Sequence, residues 1–594
     1  MLLFSGKFPL IPQPLARRPY VVKKSFILSA ALALPLLFNS FVSAQNPPVA
    51  STRTTKTESA APSTSKQPDK TVTGENVEQD VAEALSVIES NYVGGKKIDY
   101  NDLFKSSIDS MLHTLDPHSN YFDAKEFDQF RTDQSSKYFG IGATIGDLSD
   151  AKGNVIATYI KSTFENAPAN RAGLRYGDKI VSVNGVSMLG KPFTEVRNVL
   201  RGPRGTPAKL VVERLATGKR ETVEIIRDAV PQPSISEAYM IRPGIGYINM
   251  SGGFNQTTYA EFVESMKTLK GQGMQQLILD LRNNGGGLVG QAYRVANAFL
   301  SSGQTVFTQK GRLGESVEPF KADNPTPDTT PVVMLVNRNT ASASEILAGA
   351  LQDHDRALIV GENTFGKGLV QNPFLLDYGS MLLLTIAKYT TPSGRLIQRD
   401  YSDGNLYDYY TKGGAYSDDS VTIKGPESKT DSGRAVYSGG GINPDVVVKP
   451  ETIPVERARA QVKLLNPVFA FAMDLVSGRV APFAAYKVDS PISYTHDIKA
   501  KDFPISDNLY AAFKKYAADK YGTNPALIDK EKEFIERSLR TELVTAAYGS
   551  TTSLQVFNDY DNQLLKAIEL LPQARQLALE GAKANALKQN ALNR

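Results

Sequence analysis

At 594 residues the chain is too long for one ordinary hydrophobic core, so three or four domains are expected. Charged residues make up 22% and hydrophobic residues 41%, as in soluble globular proteins, and a net charge of +5 is too dilute for nucleic-acid binding. The absence of cysteine excludes disulfides, thiolate zinc sites and cysteine nucleophiles, and the four histidines lack metal-ligand spacing.

The amino terminus predicts an export signal over residues 1–44. The basic pairs Arg17-Arg18 and Lys23-Lys24 precede an apolar run over residues 26–38, and Ala44 ends a small-x-small cleavage pattern. The apolar run is shorter than the ~18 to 20 residues that a bilayer span needs. We therefore expect export to a bacterial periplasm. The alternative is an uncleaved segment that tethers the protein to the outer face of the inner membrane and keeps it near that membrane.

The composition of residues 45–74 predicts a disordered linker, because the segment is rich in Pro, Ser, Thr, Ala and Lys and has almost no large apolar residue. Residues 75–136 predict an N-terminal helical region, since their apolar residues recur at helical spacing before a break at Asp116-Pro117-His118-Ser119. Asp116 and His118 could serve in catalysis. A turn held by Pro117 and local side-chain hydrogen bonds is the preferred interpretation.

Residues 137–229 resemble a PDZ domain. The run Tyr138, Phe139, Gly140, Ile141 and Gly142 is similar to the PDZ carboxylate-binding loop, and residues 167–185 are similar to the turn, helix and strand that PDZ domains of exported proteases share. Such loops bind a terminal carboxylate through backbone N–H groups while the next strand pairs with the peptide.

The PDZ resemblance implies that the helical segment over residues 193–200 lines the peptide groove. Val196 and Leu200 would then form its side-chain pocket. Ordinary core packing of these two residues is the alternative.

Across residues 230–450 short apolar β-like runs alternate with helical patterns, which predicts a layered α/β core. Within this region, residues 400–434 predict a mobile flap or a partly disordered insertion. Residues 451–594 predict a C-terminal helical domain with amphipathic stretches at 529–547 and 559–587, the second interrupted at Pro572. No chemistry stands out in that domain, so a structural or assembly role is expected.

A serine and a lysine carry the most informative pattern of the chain. Ser342 lies in a small-residue run that opens a helical pattern, and Lys367 lies between two glycines that let other groups come close. The neighbours of Lys367 are apolar, and along the chain no acidic residue lies beside it before Glu362. This context predicts that the pKa of Lys367 is lowered enough for its amine to act as a base. Gln371 could orient the amine if the backbone bends at Gly368.

These segments resemble the active-site signature of the carboxyl-terminal processing (tail-specific) serine peptidases. The resemblance implies that Ser342, 25 residues before Lys367, is the nucleophile, whereas Ser344 would need another register. Ser342-x-x-Glu345 is also a capping box, in which the serine would only satisfy the start of a helix.

The run over residues 280–287 is similar to the glycine motif of the same family, with Gly285 in place of the usual proline. It implies that Gly286 or Gly287, together with Ala343, donates N–H groups to the oxyanion. Residues 389–395 and 439–445 also resemble family segments and are expected to shape the cleft.

The expected fold is therefore a multidomain α+β protein. It has helical N- and C-terminal regions, an inserted PDZ domain and an α/β layered catalytic core that is crotonase/ClpP-like by family resemblance. The expected function is that of an exported serine endopeptidase that uses Ser342, Lys367 and Gln371 and needs no metal or other cofactor.

The expected partners are protein or peptide substrates with accessible C-terminal tails, and an adaptor or a second copy of the chain is a further candidate. Two other interpretations stay open. One is a PDZ-containing periplasmic scaffold or chaperone with a latent or inactive peptidase core, and the other is a hydrolase that uses His354.

Overall fold

The computed structural model describes residues 73–94, 98–312, 319–402, 409–410, 425–494 and 496–592. The predicted signal peptide over 1–44 and nearly all of the predicted linker over 45–74 lie outside these ranges. The chain divides into two compact units, Met1–Asp99 and Tyr100–Arg594. Within the described ranges no helix is long and apolar enough to cross a membrane.

The first unit contains the helix α1 (Gly74–Asn91). Thr73 caps this helix, because the Asn76 N–H donates to Thr73 Oγ1 at 3.3 Å and Asn76 Oδ1 accepts from the Thr73 N–H at 3.3 Å. The first helix predicted from apolar spacing is therefore confirmed.

The second unit begins with α2 (Tyr100–His113), β1 (Asn120–Phe122) and α3 (Ala124–Gln134). Between α2 and β1, Asp116 Oδ1 accepts from the N–H groups of His118 at 2.8 Å and Ser119 at 2.9 Å, and Asp116 Oδ2 accepts from Ser119 Oγ at 2.6 Å. The predicted turn with local side-chain hydrogen bonds is confirmed.

An antiparallel sheet with strand order β3-β4-β5-β7-β8 follows, and β6 pairs with β5. The flanking strands β2 and β9 pair with each other, so the chain enters and leaves this region side by side. The elements are β2 (Lys137–Gly140), β3 (Ala143–Ser149), β4 (Val155–Thr163), α4 (Pro168–Arg171), β5 (Lys179–Val183), β6 (Val186–Ser187), α5 (Phe193–Leu200), β7 (Pro207–Glu213), β8 (Arg220–Ile226) and β9 (Asp228–Pro231).

A six-stranded sheet with order β10-β11-β12-β15-β16-β21 forms the centre of the second unit, and all its pairs after β10-β11 are parallel. A second sheet joins β1, β18, β13 and β14, with β17 on β18, and β19 and β20 form a separate pair. The elements are β10 (Glu237–Arg242), β11 (Ile245–Asn249), α6 (Thr258–Gly271), β12 (Gln276–Asp280), α7 (Val289–Phe299), β13 (Thr305–Gly311), β14 (Phe320–Lys321), β15 (Val332–Val336), α8 (Ala343–Asp353), β16 (Ala357–Gly361), β17 (Leu369–Leu375), β18 (Met381–Thr390), β19 (Glu427–Lys429), β20 (Ala435–Tyr437) and β21 (Val446–Val447).

Helices follow the core sheet to the end of the described chain, as predicted. They are α9 (Val455–Val476), α10 (Asp507–Tyr521), α11 (Pro525–Lys530), α12 (Lys532–Ser553), α13 (Asn562–Glu569) and α14 (Leu571–Leu592), with 3-10 segments at Ala481–Tyr486 and Leu554–Tyr560. Pro572 is the second residue of α14, so it separates α13 from α14 at the predicted interruption.

The central sheet is buried on both faces, which explains its continuous apolar strands. On β12, Leu277 and Leu279 face a core shared with α6, α7 and α8. Ile278 faces the opposite side, where Leu564 of α13 and Leu571 of α14 cover the sheet. The predicted layered core is confirmed, and C-terminal helices supply one of its layers.

Candidate active site

Ser342 lies at the start of α8 in a backbone conformation that is unusual for a residue with a side chain. Its φ of 58° and ψ of −119° fall outside the helical region, in the left-handed half of φ space. Such strain is kept where the surrounding structure holds it, most often at functional sites. The turn from β15 into α8 therefore presents this hydroxyl at a helix N-terminus.

Ser344, the rival serine, is fully buried, and its Oγ donates to the carbonyl oxygen of Asn284 at 3.0 Å. Its hydroxyl is therefore committed to packing the loop against α8. This geometry favours Ser342 over Ser344 as the reactive residue.

Lys367 and Gln371 meet, because Lys367 Nζ donates to Gln371 Oε1 at 2.8 Å. A register shift in the pairing of β17 with β18 lies between Val370 and Gln371. The pairing begins at Leu369, so the bend expected at Gly368 stays a prediction. Gln371 Nε2 in turn donates to the carbonyl oxygen of His118, which fixes the orientation of the carboxamide.

The two glycines beside Lys367 allow close backbone approach, as predicted. A Cβ on Gly366 would lie 2.9 Å from the Gly441 nitrogen, and a Cβ on Gly368 would lie 3.0 Å from the Gln398 nitrogen. Gly366 also has a φ of 88°. Side chains at these two positions would push neighbouring segments away from the lysine.

Burial lowers the pKa of Lys367, and the carboxylates of Asp116 and Glu345 oppose that shift. Along the chain no acidic residue lies beside Lys367 before Glu362, but folding brings these two carboxylates toward the amine from other segments. Burial still decides the direction, so the neutral amine is favoured relative to an exposed lysine. Glu362, the nearest acidic residue along the chain, pairs with Arg338 Nη2 at 2.8 Å.

Glu345 ties the backbone of the serine to the backbone of the lysine. It is fully buried, and its carboxylate accepts four hydrogen bonds. The donors are the N–H groups of Ser342 at 2.8 Å, Gly366 at 2.7 Å and Lys367 at 2.8 Å, and Thr364 Oγ1 at 2.5 Å. The predicted capping residue thus also sets the separation of Ser342 and Lys367.

Burial raises the pKa of Glu345, and its four donors act against that shift. Tyr389, from one of the segments expected to shape the cleft, donates from its hydroxyl to the carbonyl oxygens of Ser342 at 3.0 Å and Lys367 at 3.1 Å. A second link therefore joins the two reactive positions.

The glycine loop after β12 lies against the start of α8. A Cβ on Gly286 would come within 2.7 Å of the Ala341 carbonyl oxygen, 2.8 Å of Ser342 Cβ and 2.9 Å of the Ala343 nitrogen. The Gly286 N–H donates to Asn284 Oδ1 at 2.9 Å. Of the two candidate glycines, only Gly287 has an N–H group without an acceptor among the described residues. The Ala343 N–H also lacks an acceptor there, so these two N–H groups are the candidates for binding the oxyanion.

His354 is engaged through both ring nitrogens, with Asp431 Oδ2 at 2.7 Å and the Thr305 carbonyl oxygen at 2.8 Å. His118 bonds Tyr409 through Nε2 at 2.7 Å, and burial together with the nearby charge of Lys367 lowers the pKa of His118 to about 3. Within the described ranges no histidine hydrogen-bonds to Ser342, so the geometry gives no support to a histidine base.

No sequence pattern predicts that His118 holds the carboxamide of Gln371. The contact uses the backbone carbonyl of a residue 253 positions away along the chain. Tyr409 from the 400–434 insertion packs on the same histidine, while residues 403–408 and 411–424 of that insertion lie outside the described residues.

The PDZ-like residues fall around the β2–β3 turn and on α5. Tyr138, Phe139 and Gly140 lie on β2, and Ile141 and Gly142 follow, with a φ of 73° at Gly142. Val196 and Leu200 on α5 are 0% and 4% exposed and belong to the core of this sheet. In this conformation they pack in the interior, in line with the core-packing alternative.

Comparison with known proteins decides the family. The profile of peptidase family S41 matches residues 244–408, that of a PDZ domain residues 160–214, and that of the activating protease CtpB N-terminal domain residues 39–126. A carboxy-terminal-processing protease of Bartonella bacilliformis is 36% identical over 305 residues, which cover 50% of this chain and 68% of that protein. The chain belongs to the carboxy-terminal processing protease family.

A second relative supports the assignment. The carboxy-terminal processing protease CtpA of Bacillus subtilis is 34% identical over 328 residues, which cover 55% of this chain and 68% of that protein. Among solved structures, the photosystem II D1 C-terminal processing protease is 28% identical over 64% of this chain and 95% of its own, with a TM-score of 0.33. The family matches and the two relatives make the chain a serine peptidase with a PDZ domain. PDZ domains bind peptide tails, which fits peptide substrates.

Proposed function

We propose that the protein is an exported endopeptidase that captures substrate C-terminal tails with its PDZ domain and cleaves them with Ser342 and Lys367. The neutral Lys367 amine takes the proton of the Ser342 hydroxyl as Oγ attacks the scissile carbonyl, and Gln371 orients the amine. The N–H groups of Gly287 and Ala343 stabilise the oxyanion. The observation that carries the proposal is the Glu345 carboxylate, which holds the backbones of Ser342 and Lys367 together.

The finer fold assignment belongs to the same proposal. A mainly parallel central sheet with helices on both faces and a second sheet beside it support a crotonase/ClpP-like core. The predicted domain boundaries at 136/137, 229/230 and 450/451 also stay part of the proposal, as does export through residues 1–44.

A latent resting state is a second candidate, in line with the scaffold interpretation, and two observations favour it. Lys367 Nζ bonds Gln371, and no hydrogen bond joins it to Ser342 among the described residues. Val196 and Leu200 are buried, so α5 and β3 must separate before a tail can enter between them. Substrate binding would then populate the active arrangement.

Cleavage of an unstructured polypeptide with an apolar C-terminus tests the proposal. The chain from residue 45 onward should cleave it, Ser342→Ala and Lys367→Ala should each lose about 1,000-fold or more in kcat/KM, and Ser344→Ala should keep at least about a tenth. Amidation of the substrate C-terminus should raise KM if the PDZ domain binds the carboxylate. Equal cleavage by wild type and Ser342→Ala would refute the serine mechanism, and cleavage by none of the proteins with any tail would favour the scaffold.

A further inference from the structure

Two side chains of the C-terminal helical region contact the arginine that begins the glycine loop. Arg282 Nη2 lies 2.7 Å from Asp561 Oδ2, and Arg282 Nη1 donates to Gln563 Oε1 at 3.0 Å. Asp561 caps α13 and Gln563 is its second residue. A region without recognisable chemistry in the sequence thus reaches the base of the predicted oxyanion site.

The guanidinium of Arg282 is enclosed, with a side chain only 15% exposed. Its Nε and Nη2 donate to the buried Asp280 at the end of β12, the latter at 2.6 Å, and Asp280 also accepts from the Tyr247 hydroxyl at 2.8 Å. Asp280 therefore holds one edge of the guanidinium and the C-terminal residues hold the other. Removal of Asp280 or of the C-terminal partners would leave the enclosed Arg282 guanidinium with fewer hydrogen-bond acceptors.

The loop that follows Arg282 is bonded to the nucleophile segment at several points. Asn283 has a φ of 61° and its Oδ1 accepts from the side-chain amides of Asn337 at 3.0 Å and Asn339 at 2.9 Å. The carbonyl oxygen of Asn284 accepts from the Ala341 N–H at 3.0 Å. Arg282 begins this loop and Gly286 lies against Ser342, so the placement of Arg282 bears on how the loop meets the nucleophile.

The C-terminal partners are themselves well anchored. Asp561 Oδ1 accepts from the N–H groups of Gln563 and Leu564, each at 3.0 Å. Gln563 Nε2 donates to the Val448 carbonyl oxygen at 2.6 Å, and Leu564 and Ala567 are fully buried against the central sheet. The contacts to Arg282 thus come from a fixed helix end rather than from a loose tail.

We propose that Asp561 and Gln563 are positioning residues for the oxyanion loop and act through Arg282. They would hold the loop so that its N–H group points to where negative charge develops, which requires placement within fractions of an ångström. This inference rests on the proposed function, since it takes the glycine loop to be the oxyanion site. It also gives residues 451–594 a part in catalysis.

Asp561→Asn in the chain from residue 45 onward tests the inference, because the asparagine oxygen can still cap the helix while its NH₂ group takes the place of the charged oxygen that faces Arg282. Asp559→Asn is the matched control, since Asp559 lies two residues away and pairs with the exposed Arg242 at 3.0 Å. The measurements are kcat and KM for the unstructured polypeptide, and Ki for a peptide aldehyde. Ser342 Oγ adds to the carbonyl carbon of the aldehyde, and the former carbonyl oxygen then lies in the oxyanion site.

We expect Asp561→Asn to lower kcat about 10-fold and to raise the aldehyde Ki about 10-fold, or about 1.4 kcal/mol, with KM within twofold. Asp559→Asn should match wild type. Gln563→Met removes the acceptor of Arg282 Nη1 and has a side chain of similar volume. It should lower kcat and raise Ki in the same way, and it provides the test if Asp561→Asn fails to fold.

Unchanged kcat and Ki in both folded variants would overturn the inference. So would a loss that appears only as lower thermal stability, with the kinetics of the folded fraction intact. Failure of wild type to show Ser342-dependent cleavage would count against the proposed function instead, so the two failures are distinguishable.

Discussion

At the scale of single residues, the site depends on where three charged groups lie. Lys367 must lose its proton to act as a base, yet the carboxylates of Asp116 and Glu345 favour its charged form. Both carboxylates are occupied by donors of their own, Asp116 in its turn and Glu345 between the two reactive backbones. Burial is therefore the effect that makes this lysine a candidate base.

The pH dependence of kcat/KM should report the lysine. Because the neutral amine is the base, kcat/KM should rise with pH through the pKa of Lys367, and the midpoint should lie below 10.5 because that pKa is lowered. Gln371→Glu places a carboxylate beside Nζ and should move this midpoint up by about 1 to 2 pH units. The measurement is a kcat/KM profile from pH 5 to about 10.

Asn372→Asp is the matched control, because it adds the same charge at the next, exposed position of β17. Its profile should follow wild type within about 0.3 pH units, since a charge in water is strongly screened. A midpoint that Gln371→Glu leaves in place would show that another group sets the pH dependence.

Glu345→Gln should remove activity by misplacing both backbones. The amide can replace one carboxylate oxygen, but its NH₂ group faces N–H donors, so some buried N–H groups lose their acceptor at about 1–3 kcal/mol each. We expect kcat to fall at least about 100-fold and the free energy of unfolding to fall by about 2–4 kcal/mol. Kinetics and urea denaturation measure the two effects.

Glu362→Gln serves as the comparison, because Glu362 lies near Lys367 in sequence and its carboxylate pairs with Arg338 at 2.8 Å instead of bridging the backbones of Ser342 and Lys367. It should lose less than about tenfold in kcat. Similar losses in both variants would mean that general destabilisation, and not the bridge from Ser342 to Lys367, explains the effect.

At the scale of secondary structure elements, the site lies where β12 and β15 end and where α8 begins. Parallel strands bring these ends to one edge of the sheet, so the glycine loop and the nucleophile turn meet there. Gly286 fits between the Ala341 carbonyl and Ser342 only because it lacks a side chain.

Gly286→Ala should therefore disrupt the site even though it adds one methyl group. The φ of 97° is strained for alanine, and the new Cβ would lie 2.7 Å from a carbonyl oxygen. We expect at least about a 100-fold loss of kcat, as for removal of an oxyanion donor. Gly285→Ala is the control, since its Cβ would meet nothing within 4 Å, and its kcat should stay within about threefold of wild type.

Sequence patterns predicted those parts of the site whose members lie close together along the chain. Ser342, Lys367 and Gln371 lie within one motif, and the helical start at Ser342 follows from local capping chemistry. The contribution of His118 to Gln371 and that of Asp561 to Arg282 span long sequence separations and depend on how strands and helices pack. For the same reason the sequence does not decide whether Val196 and Leu200 line a groove or pack in a core, because one apolar pattern serves both.

At the scale of the whole second unit, the C-terminal helices contact both the PDZ domain and the catalytic core. Leu148, Ala157, Tyr159 and Tyr176 of the PDZ domain belong to the same buried cluster as residues of α9, α10 and α12. Lys161 Nζ lies 3.5 Å from the centre of the Phe469 ring. Helices α13 and α14 meanwhile cover the central sheet. We therefore expect the C-terminal helices to couple the stability of the peptide-binding and catalytic regions.

Glu542 on α12 offers the sharpest test of this coupling. It pairs with Lys161 Nζ at 2.5 Å and accepts from the Tyr176 hydroxyl at 2.8 Å, so Glu542→Ala removes the ion-pair partner of Lys161 and the hydrogen-bond acceptor of Tyr176. We expect the free energy of unfolding to fall by about 1–3 kcal/mol and amide exchange to speed up in β3 and β4. Glu533→Ala, at an exposed position of the same helix, should stay within about 0.5 kcal/mol of wild type. Faster exchange confined to α12, with β4 unchanged, would mean that the PDZ domain is held by its own core alone.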